Sequence, residues 1–74
     1  MAKYTLSAAP TGQKLVVSEI LYVKDRSRLI GYGIITGSEI ELIQKGEKGP
    51  IIVASKGGRI AVGRAAAEGV IVRG

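Results

Sequence analysis

Ile51-Ile52-Val53-Ala54-Ser55-Lys56, then Gly57-Gly58, then Arg59-Ile60-Ala61-Val62, is the stretch that decides the fold. Two runs rich in β-branched residues flank a glycine pair, and glycine reaches positive φ without steric cost. The segment therefore predicts a hairpin with a two-residue turn at Gly57-Gly58. The rest of the chain is written in the same alphabet. Ten Ile, seven Val and five Leu make 22 of the 74 residues, and 17 of those 22 are β-branched, a composition whose stiff χ1 angles favour strands.

On the C-terminal side of the hairpin, residues 63–69 hold three alanines with Glu68 as their charged end and predict a single helical or 3₁₀ turn. Val70-Ile71-Val72 then returns as a closing edge strand. On the N-terminal side, residues 46–50 (Gly-Glu-Lys-Gly-Pro) form an exposed loop. Before it, residues 38–43 alternate, with Ile40 and Leu42 inward and Glu39 and Glu41 toward solvent. Thr36-Gly37 is a turn. Asp25 is placed to cap a short helix over residues 26–32, ended by Gly33 in the left-handed region. On that helix Leu29 and Tyr32, three apart, share a face beside Arg26. Residues 14–23 make a long β-branched run whose alternation falters near Ser18-Glu19, which predicts a bulge or twist there. Ala9-Pro10-Thr11-Gly12 fits a type I turn.

The sum is five short strands and one small helix. So little chain cannot cover two open sheets, so a mainly β fold in a small closed or nearly closed SH3-like barrel is expected, with residues 1–74 as one domain.

Composition then narrows the chemistry. There is no Cys, His, Trp or Phe, and 11 Lys or Arg against 6 Asp or Glu give a net charge of +5. The usual near-neutral base, the commonest metal ligand and the thiolate nucleophile are all missing, so an enzyme is not expected. Gly31-Tyr32-Gly33-Ile34-Ile35-Thr36-Gly37 resembles a dinucleotide fingerprint only superficially: Thr36 holds the place of its third glycine, and the stretch follows a helix where it should open one. No Gly-Lys-Ser/Thr sequence exists for a nucleotide phosphate. Glu39 and Glu41 share a strand face but are too few oxygens for a hard cation. Neither a metal site nor a cofactor is expected.

Two basic groups remain: Lys24, Arg26 and Arg28 around the helix start, and Lys45, Lys48, Lys56 and Arg59 at loop and hairpin tips. They suit an acidic protein surface, an anionic membrane or RNA. RNA-binding barrels add aromatic stacking platforms, and only Tyr4, Tyr22 and Tyr32 are present. A small basic barrel that binds RNA or a ribonucleoprotein is therefore the alternative reading, and nucleic acid is not the expected partner. The N-terminus lacks the apolar stretch of a signal peptide, and the longest nearly apolar segment, residues 29–35, falls far short of the roughly 20 residues that span a bilayer. A cytosolic protein is expected.

The order of these signals resembles the FeoA family, small accessory proteins of bacterial ferrous-iron uptake, over nearly the whole chain. Leu6 and Pro10-Thr11-Gly12-Gln13 match the family's opening segment and glycine turn. Arg28-Leu29-Ile30-Gly31-Tyr32-Gly33-Ile34-Ile35-Thr36-Gly37 follows its diagnostic Arg-Leu-x-x-(Met or Leu)-Gly-(Leu or Ile)-x-x-Gly, with Tyr32 at the Met or Leu position. Glu39-Ile40-Glu41-Leu42-Ile43 resembles its second strand. Gly49-Pro50-Ile51 resembles its loop exit, and Gly58-Arg59-Ile60-Ala61-Val62 its hairpin, with Gly63 where a basic residue commonly follows. The resemblance implies an SH3-like barrel in ferrous-iron transport, a setting of iron and other transition metals. It further implies docking on the cytosolic side of FeoB, the membrane iron transporter with a GTP-binding domain. The chain would then be cytoplasmic and peripheral to the inner membrane through its partner. The expected contact is the helix face with Arg26, Arg28, Leu29 and Tyr32, joined by Lys56 and Arg59 of the hairpin tip. Leu29 has a second reading, as a core residue. Residues 51–53 or 70–72, if left as exposed apolar edges, would also pair between copies in a weak homo-oligomer.

Overall fold

The computed structural model describes residues 2–21 and 26–74. The Asp25 cap, Lys24 of the first basic group, Tyr22 and the end of the run at 14–23 lie outside the described residues. The elements are β1 (Lys3–Thr5), a 3₁₀ turn (Leu6–Ala8), β2 (Lys14–Ile20), α1 (Arg26–Gly31), β3 (Glu39–Lys45), β4 (Ile51–Ser55), β5 (Gly58–Val62), α2 (Arg64–Ala67) and β6 (Val70–Arg73). The strands form one antiparallel sheet in the order β1-β6-β2-β3-β4-β5. It curls around a single core, and the molecule measures 26 × 24 × 23 Å.

Among the described residues six strands stand where five are expected. The additional one is β1, three residues too short to show a period, and its place changes the topology. β6 pairs with both β1 and β2, so it is an interior strand and not the closing edge. β4 likewise lies between β3 and β5. The apolar segments 51–53 and 70–72, expected as free edges, are both paired on two sides. At the two ends of the order are β1 and β5.

Alternation builds the core. Leu15 and Val17 from β2, Ile40 and Leu42 from β3, Ile51 and Val53 from β4, Ile60 and Val62 from β5, and Val70 and Val72 from β6 all point inward. Leu6, Ala9, Leu29, Ile34 and Ala67 close the ends, and every one of these fifteen buried side chains is aliphatic. The expected irregularity in β2 is present. Val17 lies opposite Val72, but the next pair is Glu19 with Ile71, followed by Ile20 with Val70. Ser18 is thus an extra residue that reverses parity, so Glu19 points outward and Ile20 packs against the core. A second shift, between Leu42 and Gln44, turns Lys45 to the side of buried Ile51, where its Nζ donates to the Ala9 carbonyl at 2.8 Å. Lys45 therefore secures one end of the barrel, and is not part of a loop-tip basic group.

The hairpin that decides the fold is offset by one residue from expectation. Ser55 pairs with Gly58, so the turn residues are Lys56 and Gly57. Gly58 opens β5 at φ +112°. The α2 turn is joined to the 3₁₀ turn by Ser7 Oγ, which donates to Glu68 Oε2 at 2.6 Å.

Candidate docking site

The site begins with how α1 ends. The amides of Tyr32 and Ile34 both donate to the Leu29 carbonyl, at 3.0 and 2.9 Å, and that of Gly33 to Ile30 at 2.9 Å. Gly33 takes φ +81°, the left-handed geometry that closes a helix and reverses the chain. The reversal drives Ile34 into the core at 0% exposure beside Leu29 at 1%, and leaves their sequence neighbours outside: Ile30 is 50% exposed, Ile35 48% and Tyr32 37%. Two apolar doublets, Leu29-Ile30 and Ile34-Ile35, each place one side chain in and one out.

The hairpin tip is fastened to this turn through the Tyr32 backbone. The Tyr32 carbonyl accepts hydrogen bonds from Ser55 Oγ and from the Gly57 amide at 3.3 Å. The approach is so close that a Cβ on Gly57 would lie 2.7 Å from the Tyr32 oxygen, well inside van der Waals contact. The two glycines of the hairpin therefore do different work: Gly57 supplies space, and Gly58 the unusual φ. Lys56 is thereby held over the helix exit, its Cβ 3.9 Å from where a Cβ on Gly33 would stand.

Between these parts runs a shallow trough. One reach is lined by Ile20, Arg26, Ile30, Ile35 and Thr36. Ile35 and Thr36 also line the adjoining reach, with Gly33, Gly37, Ser38, Glu39 and Lys56. Arg26 is exposed, and its Nη2 donates to the Ile20 carbonyl at 2.8 Å. Glu39 Oε1 lies 3.8 Å from Lys14 Nζ, an exposed pair of small energetic weight.

Of the six residues expected at a contact surface, Arg26 and Lys56 line this trough, and Tyr32 is exposed beside it. Arg28 and Arg59 are exposed but line neither reach. Leu29 is a core residue, as its second reading held: the helix end that buries Ile34 buries Leu29 with it, so it does not share an outward face with Tyr32. Sequence reasoning missed Ile30 and Ile35. The signal was available in the doublets, because a short helix against a small core can bury only one of two adjacent aliphatic residues. Ile30 also follows Arg26 by four residues and so shares its face.

The glycine-rich stretch is a helix stop followed by a turn, and its amides are already engaged. Ile35 N–H donates to Ser38 Oγ at 3.1 Å, Gly37 to the Val17 carbonyl at 2.7 Å and Ser38 to the Ile35 carbonyl at 2.9 Å. Such a loop has few amides left to cradle a phosphate. Among the described residues no group of three or more Asp, Glu, His or Cys is placed to hold a metal ion. Among the described residues no helix is long and apolar enough to cross a membrane.

The family model described as the FeoA domain matches residues 4–74. The chain belongs to the FeoA family. A curated relative from Methanocaldococcus jannaschii, named Fe(2+) transport protein A, is 34% identical over 70 residues, covering 93% of this chain and 84% of that protein. Among solved structures, an iron uptake regulatory protein (FeoA) superposes with a TM-score of 0.87 at 33% identity, covering 99% of this chain and 97% of the other. The FeoA of Stenotrophomonas maltophilia, solved in complex with zinc and described as an SH3 domain protein, superposes with a TM-score of 0.77 at 28% identity. That match covers 95% of this chain and 89% of the other. The fold of this FeoA-family chain is accordingly SH3-like, and its family is one of ferrous iron transport.

Proposed function

We propose that this chain is a non-catalytic accessory protein of ferrous iron uptake that docks on the cytosolic side of a FeoB-type membrane transporter with a GTP-binding domain. It would work in the cytoplasm, peripheral to the inner membrane through that partner. The observation that carries the reading is the cluster of exposed aliphatic side chains at α1 and its exit, Ile30 and Ile35 beside Tyr32, set between Arg26 and Lys56. Large apolar side chains left in water together are a mark of an interaction surface. Membership of a ferrous-transport family supplies the setting.

The test is titration of the purified protein against the cytosolic part of the transporter and then the full-length transporter, with bulk RNA as control. Saturable binding to the transporter alone is the expected result. Binding to RNA alone, with the steep salt dependence of phosphate contacts, would replace this reading by that of a basic RNA-binding barrel.

A further inference from the structure

We propose that the trough from Arg26 to Lys56 seats an acidic amphipathic segment of a partner protein, apolar on one side and carrying carboxylates along its margins. This rests on the docking reading above and adds the chemistry of what docks. The floor is aliphatic: Ile20, Ile30 and Ile35 all line it, and the latter two are about half exposed. The charges are asymmetric. Among the described residues, Arg26 stands in one reach and Lys56 in the other, two cations against the one acid of the lining, Glu39, which has Lys14 at 3.8 Å. The lining is thus positive on balance, favouring an acidic ligand over a basic one.

Shape chooses among anionic partners. The two reaches are concave and adjoin at Ile35 and Thr36, which line both, an arrangement that suits a helix or extended segment laid across them. A bilayer surface would need the aliphatic groups to protrude. Among the described residues Tyr32, beside the trough, is the one exposed ring, and the lining itself has none, which is fewer than the several stacking platforms a single-strand nucleic-acid groove uses.

The probes are a synthetic amphipathic helix of Leu, Glu and Ala, its counterpart with Lys for every Glu, and vesicles containing phosphatidylglycerol. Each is titrated into the isotope-labelled full chain and followed by amide shifts. The acidic peptide is expected to bind saturably, moving Ile30, Ile35 and Lys56, with the Lys peptide inert. Ile35→Glu and Lys56→Glu should each weaken binding about tenfold, and Ile30→Leu should retain it; unchanged melting of the variants confirms that they fold. Equal binding of both peptides, binding of vesicles alone, or indifference to Ile35→Glu and Lys56→Glu would overturn the proposal. The same variants titrated against the transporter separate the two readings. Undiminished transporter binding refutes the trough and leaves docking intact. Absence of transporter binding, with peptide binding still dependent on Ile35 and Lys56, refutes docking on that transporter and leaves the trough.

Discussion

Replacing Gly57 by Ala sets a methyl group 2.7 Å from the Tyr32 oxygen and 2.8 Å from its Cα. Those are backbone atoms, which cannot swing aside as a flexible side chain would. Either the hairpin tip or the end of α1 must shift, at a cost of about 1–3 kcal/mol by analogy with overpacking. A thermal melt should show the loss at roughly 4–8 °C per kcal/mol for a domain of this size. Adjacent residues Leu29 and Ile30 offer a sharper contrast. Leu29→Ala should cost about 2–5 kcal/mol in urea denaturation because it empties a buried site, whereas Ile30→Ala should stay within about 0.5 kcal/mol. Leu29→Arg should unfold the protein. Sequence pattern could name the Leu29-Ile30 pair as apolar but not say which member faces in, since six helical residues are too few for a period to declare its phase. That phase is set from outside the helix, by Gly33 and the return of Ile34 to the core.

At the scale of elements, β3 was legible, with Ile40 and Leu42 inward as its alternation predicts, and the hairpin of β4 and β5 forms from the two β-branched runs that flank the glycines. The broken alternation in β2 was also informative, because an extra residue at Ser18 is what lets Val17 and Ile20 face the same side. β1 was not legible, and its absence from expectation made β6 look like an edge. The hairpin turn was misplaced by one residue because both glycines look alike in sequence, while only a partner across space, the Tyr32 backbone, tells them apart. β1 covers Ile71 and Val72 with three residues, Lys3–Thr5. Removing residues 1–5 should leave β6 as an exposed β-branched edge, and sedimentation should then show association that grows with concentration. A truncated protein that stays monomeric at high concentration would show that β6 does not need its cover.

For the molecule as a whole, the net charge of +5 acts at longer range than any contact in the trough. Association with an acidic partner should be steered by it, so the on-rate measured by stopped flow should fall roughly tenfold between about 0.05 and 0.5 M salt, with a much smaller change in the off-rate. An on-rate indifferent to salt would mean that aliphatic contact alone drives docking. The candidate site was only half legible in sequence: Arg26, Tyr32 and Lys56 stand out as charged or aromatic residues, but the trough exists because the Gly57 contact brings two segments together that are more than twenty residues apart. The wholly aliphatic core has an optical consequence. Among the described residues its fifteen buried side chains contain no chromophore, and the ring packed against them is that of Tyr4, on β1. Near-ultraviolet dichroism from that ring would record the release of the N-terminal strand, whereas far-ultraviolet dichroism would record loss of the sheet. The gap between the two melting curves would measure how far β1 frays before the barrel opens.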